Sequence, residues 1–167
     1  MKPSEFVSKY ITYAKQTEAK TGISYLFTLA QAALESGWGE RAVGNMFFGV
    51  KANTATPMNK KQLLTTREVL KTNSVHFPEI ISIKPRKDGK FDYIVKDWFR
   101  KYDSPEESFT DHANFFIENK RYGDALKVKA DPYKFAEGIA KAGYATDPNY
   151  ASTLKAVIKT IERNLPK

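Results

Sequence analysis

The chain has 167 residues, 41% of them hydrophobic and 28% charged, with nine Gly and eight Pro, which suits one folded domain with a real core and excludes two large domains, a disordered polymer and a collagen-like repeat. Zero Cys excludes a disulfide framework and a thiol nucleophile, and two lone His, at 76 and 112, speak against a zinc-hydrolase site. The net charge of +8 is concentrated, because residues 60–102 carry 11 basic and 5 acidic groups whereas 103–167 carry 10 of each.

A local excess of that kind suits an anionic partner such as nucleic acid, lipid headgroups or a cell-wall polymer, and equally a basic surface with no specific partner. No run approaches the ~18 apolar residues of a membrane span. Met1-Lys2-Pro3-Ser4-Glu5 leads into an amphipathic stretch and not into a signal-peptide core, so membrane insertion is not expected, and with Met1 as the natural start export uses another route.

Phe6, Val7, Tyr10, Ile11 and Ala14 recur at helical spacing ahead of Gly22, which predicts a first helix over about 4–20. Ser24 caps a second, whose stripe from Leu26 to Leu34 stops at Ser36-Gly37-Trp38-Gly39, placing Glu35 in a last helical turn. Between 60 and 102 the texture turns β-rich, with Asp88-Gly89 as a hairpin signal. Ser104-Pro105-Glu106-Glu107 opens a helix over about 105–118 with a capping box. The Asp-Pro start recurs at Asp131-Pro132 and Asp147-Pro148, each ahead of an apolar helical stripe. The expected architecture is α+β and mainly α: one domain, 1–167, with 60–102 inserted as a β lobe and a cleft between the lobes.

A carboxylate that ends an apolar helix at a double-glycine turn would be partly desolvated and held protonated as a general acid; on pattern alone it reads equally as an exposed helix-end glutamate. Glu35 is that residue. Its surroundings are more specific. Leu29-Ala30-Gln31-Ala32-Ala33-Leu34-Glu35-Ser36-Gly37-Trp38-Gly39, then Asn45-Met46-Phe47-Phe48-Gly49-Val50-Lys51, resemble the catalytic signature of the bacterial glucosaminidase family of peptidoglycan hydrolases. The resemblance continues through Phe99 to Ser104, Asp111-His112, Arg121-Tyr122 and Gly143-Tyr144-Ala145-Thr146-Asp147-Pro148, in the family's order and over nearly the whole chain.

That resemblance implies a lysozyme-like two-lobed fold flanking a glycan groove, with Glu35 as the acid that protonates the glycosidic oxygen and no metal or organic cofactor. The second carboxylate comes from Glu68, Glu79, Asp88, Asp92 and Asp97. Glu68 in Thr65-Thr66-Arg67-Glu68 matches the family's setting, with Arg67, Lys61 and Lys71 expected to keep it ionised and Glu79 in reserve. Tyr144 takes the family's cleft tyrosine, to hold an acetamido group or orient a water, and Asn45, Phe48 and Tyr122 are groove-lining candidates. Trp38 is expected to pack, and His112 to make a hydrogen bond on a helix face.

The implied function is cleavage of the β-1,4 bond between N-acetylglucosamine and N-acetylmuramic acid by a monomer at the cell wall, released as a phage-type lysin by a holin or a dedicated export route. Its partner is peptidoglycan, with anionic wall polymers at Lys84, Arg86, Lys87 and Lys90, and not nucleic acid. Alternatives are an N-acetylmuramidase or lytic transglycosylase on the same fold, and a non-catalytic basic module.

Overall fold

Helix α1, Pro3–Thr21, begins where proline fits a first turn and ends at Gly22, whose φ of 77° is left-handed and resisted by residues with a β-carbon. Ser24 Oγ then accepts from Leu26 N–H and caps α2, Tyr25–Ser36. Every side chain of α2 from Phe27 to Ala33 is buried, so it is the central rod of the helical part. A turn held by Ser36 follows, its Oγ donating to the Ala32 carbonyl at 2.6 Å and accepting from Gly39 N–H at 2.9 Å. Trp38 lies edge-on to Phe6 with ring centroids 5.5 Å apart, the packing role expected of it.

The computed structural model describes residues 1–167, which form two compact units, Met1–Phe48 with Tyr102–Lys167, and Gly49–Lys101. The first holds every α-helix. Helix α3, Pro105–Glu118, has the predicted limits; Ser104 accepts from Glu107 N–H, but Glu107 reaches back to Asp103 N–H at 2.9 Å, one residue before the cap. The short α4, Gly123–Leu126, entered by a 3₁₀ turn at Lys120–Tyr122, is too brief to leave a periodic signal. Asp131 caps α5, Pro132–Lys141, by accepting from Tyr133 and Lys134 N–H.

Asp147-Pro148 does not start the last helix. Asp147 closes its own turn by accepting from Asn149 N–H at 2.8 Å, a competing use of a short carboxylate, and α6 runs over Tyr150–Arg163. Phe6, Phe27, Phe109, Phe116, Phe135, Leu154, Ile158 and Ile161 are all buried in one continuous core.

The second unit is an antiparallel sheet of β1, Lys61–Leu70, β2, Glu79–Pro85, and β3, Phe91–Arg100, in the order β1-β3-β2. Asp88-Gly89 turns β2 into β3, with Gly89 at φ 82°. The unit starts earlier than the expected residue 60, because Lys51 bridges Phe99, Arg100 N–H donates to the Val50 carbonyl and Ala52 N–H to the Trp98 carbonyl. Tyr93, Val95 and Phe99 of β3 are buried on one face. The other face, reached by Arg67, Val69 and Lys84, is exposed. Twelve of the chain's basic residues and five acidic ones fall within this unit.

Candidate active site

Glu35 occupies the last turn of α2, and Gly37 ends the helix at φ 60°. The expectation of a partly desolvated acid is corrected: Ala32 and Ala33 point into the core while Glu35 is exposed, since each residue turns about 100° around a helix axis and apolar sequence neighbours need not surround it. Arg41 Nη2 donates to the Glu35 carbonyl at 3.2 Å, bracing the helix end.

The carboxylate itself is anchored from behind. Tyr150 Oη, at the first turn of α6, donates to Glu35 Oε1 at 3.0 Å, and Gln31 Nε2 donates to the same phenol oxygen at 3.0 Å. Gln31 Oε1 meets His112 Nε2 at 2.8 Å. His112 makes the helix-face hydrogen bond expected of it, stacked between Phe48 at 3.8 Å and Phe115 at 5.9 Å. Burial pushes its imidazole pKa down to about 3, so the ring is neutral. Neither Gln31 nor Tyr150 is among the site residues expected from the sequence. A signal was present, because Gln31 is a polar residue in the apolar run Leu29-Ala30-Gln31-Ala32-Ala33, and a buried amide needs partners.

Tyr144 is half-buried, its Oη 3.5 Å from His112 Nε2 and its ring 5.5 Å from that of Tyr150. Burial above all, then the negative charge of Glu35, pushes its phenol well above the usual tyrosine range. It remains a hydroxyl donor beside the helix-end carboxylate.

In the sheet unit, Glu68 pairs in register with Tyr93, and its Oε1 accepts from Lys51 Nζ at 2.6 Å. Lys51 also reaches Asp97 at 3.4 Å. Burial disfavours the Lys51 charge, but hydrogen bonds to Glu68 and Asp97 outweigh it and leave the ammonium above its ordinary range. The expected cations are therefore corrected. Arg67 and Lys61 are an odd number of residues from Glu68 and project to the opposite face, where Arg67 pairs with Asp92 at 2.7 Å. Lys71 follows the strand and is exposed. Glu79 stands opposite Lys96 and pairs with it at 3.3 Å, which puts it on the Arg67 face, away from Glu68.

The groove-lining candidates separate. Phe48 is half-buried on His112. Asn45 adopts φ 57° and spends its amide on the Tyr102 carbonyl at 3.0 Å, a turn-fixing role. Tyr122 is 0% exposed with rings of Phe115, Phe116 and Tyr144 around it, so it is a core residue and no groove wall. Its hydroxyl is buried without a hydrogen-bond partner. Tyr122→Phe is accordingly expected to leave stability unchanged or raise it by up to about 1–3 kcal/mol, the cost of an unsatisfied buried polar group, as read by urea unfolding; a clear loss would reveal a partner for that hydroxyl. No group of three or more His, Asp or Glu side chains is placed to hold a metal ion, and no helix is long and apolar enough to cross a membrane.

Solved structures match this fold. The glycoside hydrolase domain of Salmonella typhimurium FlgJ, in a C-terminally truncated form, superposes with a TM-score of 0.74 at 30% identity, covering 97% of this chain and 99% of that one. A peptidoglycan hydrolase mutant from Sphingomonas sp. A1 gives 0.68 at 28% identity over 96% and 97%. The mainly helical fold with its small sheet is thus that of a lysozyme-like glycoside hydrolase. The family model for glucosaminidase, described as mannosyl-glycoprotein endo-beta-N-acetylglucosaminidase, matches residues 11–163, and the chain belongs to that family of glycosidases. Among curated relatives, peptidoglycan hydrolase FlgJ of Vibrio parahaemolyticus is 32% identical over 96% of this chain and 48% of its own length. Exo-glucosaminidase LytG of Bacillus subtilis is 31% identical over 92% and 50%. The chain spans about half the length of these relatives.

Proposed function

We propose that the chain hydrolyses peptidoglycan, cutting the β-1,4 bond between N-acetylglucosamine and N-acetylmuramic acid. The observation that carries this reading is the Glu35 carboxylate, accessible at the end of a buried helix and yet oriented by Tyr150. Membership of the glucosaminidase family and relatives named as peptidoglycan hydrolases and an exo-glucosaminidase support the substrate class. Glu35 protonates the glycosidic oxygen. Glu68, paired with Lys51, activates water or supports the oxocarbenium-like transition state, and Tyr144 orients the acetamido group or the water.

Reducing-end analysis of digested cell wall tests the proposal. New N-acetylglucosamine ends support it; N-acetylmuramic acid ends make the chain a muramidase and 1,6-anhydro ends a lytic transglycosylase, whereas no new ends would sink the enzyme reading. Glu68→Gln is expected to lower the rate roughly 10²–10⁴-fold, the range for a lost acid–base group. Retention of most of the rate would mean that the second carboxylate is elsewhere or that the substrate's own acetamido group supplies the nucleophile.

In this reading the chain acts as a monomer at the cell wall, and the cation-rich sheet unit contacts anionic wall polymer. Of the four cations named for that role, Arg86 is already committed to Asp88 and Asp92, which leaves the exposed Lys84, Lys87 and Lys90. Wall binding that weakens with salt and persists in Glu35→Gln is the corresponding result.

A further inference from the structure

We infer that His112, Gln31 and Tyr150 form a one-way hydrogen-bond chain that makes Glu35 Oε1 a permanent acceptor and so assigns the transferable proton to Oε2. The inference rests on Glu35 being the acid. Gln31 Oε1 can only accept, so the ring nitrogen 2.8 Å from it, His112 Nε2, carries the proton of the neutral imidazole. Neutrality follows from the burial that holds this histidine far below its ordinary range. With its oxygen engaged, the Gln31 amide presents NH₂ to Tyr150 Oη at 3.0 Å. A phenol that accepts there has one proton left, and the acceptor within 3.0 Å is Glu35 Oε1. Burial first, then the neighbouring Tyr144 and Glu35, keeps the Tyr150 phenol above the usual tyrosine range, so this proton stays on Tyr150.

Two consequences follow for chemistry. An oxygen that accepts from Tyr150 is turned toward α6, and Oε2 is left for the substrate. The hydrogen bond from Tyr150 also fixes the rotamer of the carboxylate. The other polar groups that bear on Glu35 are Tyr144, through its phenol, and Arg41, on the backbone carbonyl. Gln31, His112 and Tyr150 are thus positioning residues. Their rigidity has a visible source: Gln31 is 0% and Tyr150 9% exposed, so neither side chain has room to turn away.

The test uses the full chain labelled with ¹³C at glutamate side-chain carboxyls, at neutral pH, with the Glu35 resonance identified by its loss in Glu35→Gln. In Tyr150→Phe the Glu35 carboxyl resonance is expected to move from its wild-type position, and kcat to fall about 10-fold or more with KM within about twofold. Gln31→Met, which frees the Tyr150 hydroxyl to turn, is expected to move both in the same direction by less. Thermal unfolding verifies that both variants fold. A Glu35 resonance unchanged in both variants overturns the inference, because the chain then runs the other way, with Tyr150 donating to Gln31. A moved resonance in a protein that releases no sugar ends leaves the chain standing and removes the proposed function; turnover with an unmoved resonance does the reverse.

Discussion

Glu35→Gln is expected to lower the release of reducing ends from peptidoglycan by at least about 10²–10⁴-fold, the usual contribution of a general acid, while leaving the fold intact. The amide has the shape of the carboxylate and its oxygen still accepts from Tyr150, so the helix end and its support survive. What disappears is the proton that must reach the leaving oxygen. Since Glu35 is exposed, the stability change should stay within about 0.5 kcal/mol. Turnover and thermal unfolding measured on the same preparation separate the two effects. A variant that keeps a tenth or more of the wild-type rate would move the acid elsewhere in the chain.

The largest effect on stability is expected from Phe116→Ala. Phe116 is 0% exposed and meets Phe27 of α2, Phe135 of α5, Tyr122 and Tyr144 at ring-centroid distances of 5.1–5.9 Å. Deleting the ring removes a contact shared by three helices at once. The cavity cannot collapse, because each lining ring is held by others, Phe27 by Phe135 at 4.6 Å among them. The expected loss is about 3–5 kcal/mol, as for other buried Phe truncations, which for a chain of this size lowers the melting temperature by roughly 6–20 °C. Urea unfolding gives the figure directly, and a loss under about 1 kcal/mol would mean that the core repacks. Because His112 also lies on Phe116, at 4.9 Å, the variant should loosen the support of Glu35 as well.

The helices were legible because their signals are local. Gly22 and Gly37 stop α1 and α2 where a left-handed residue is needed, and Ser24, Ser104 and Asp131 cap the helices that follow them. The Asp147-Pro148 start misled because the same carboxylate can cap a helix or close its own turn, and only the chain's path past Asn149 decides between them. The helix-end position of Glu35 could be read from Gly37 and Gly39, but its exposure could not. Burial depends on which side of α2 meets its neighbours, and a helix that is apolar almost all round hides that direction.

The order of the longer elements, the α+β class, the family signature around Glu35 and the concentration of positive charge in the sheet unit can all be read along the chain, because each is a local pattern. The partners of the two carboxylates come from long-range packing. Glu68 is held by Lys51, 17 residues away and outside the three strands, and not by its neighbours Arg67 and Lys61, because a pleated strand sends adjacent side chains to opposite faces. Glu35 is held by Tyr150, 115 residues downstream, and Tyr150 by Gln31, one helical turn before Glu35 on α2. Periodicity reports which face of an element is apolar, but a hydrogen bond between two elements depends on how those faces are rotated against each other, and that is fixed only when the core packs.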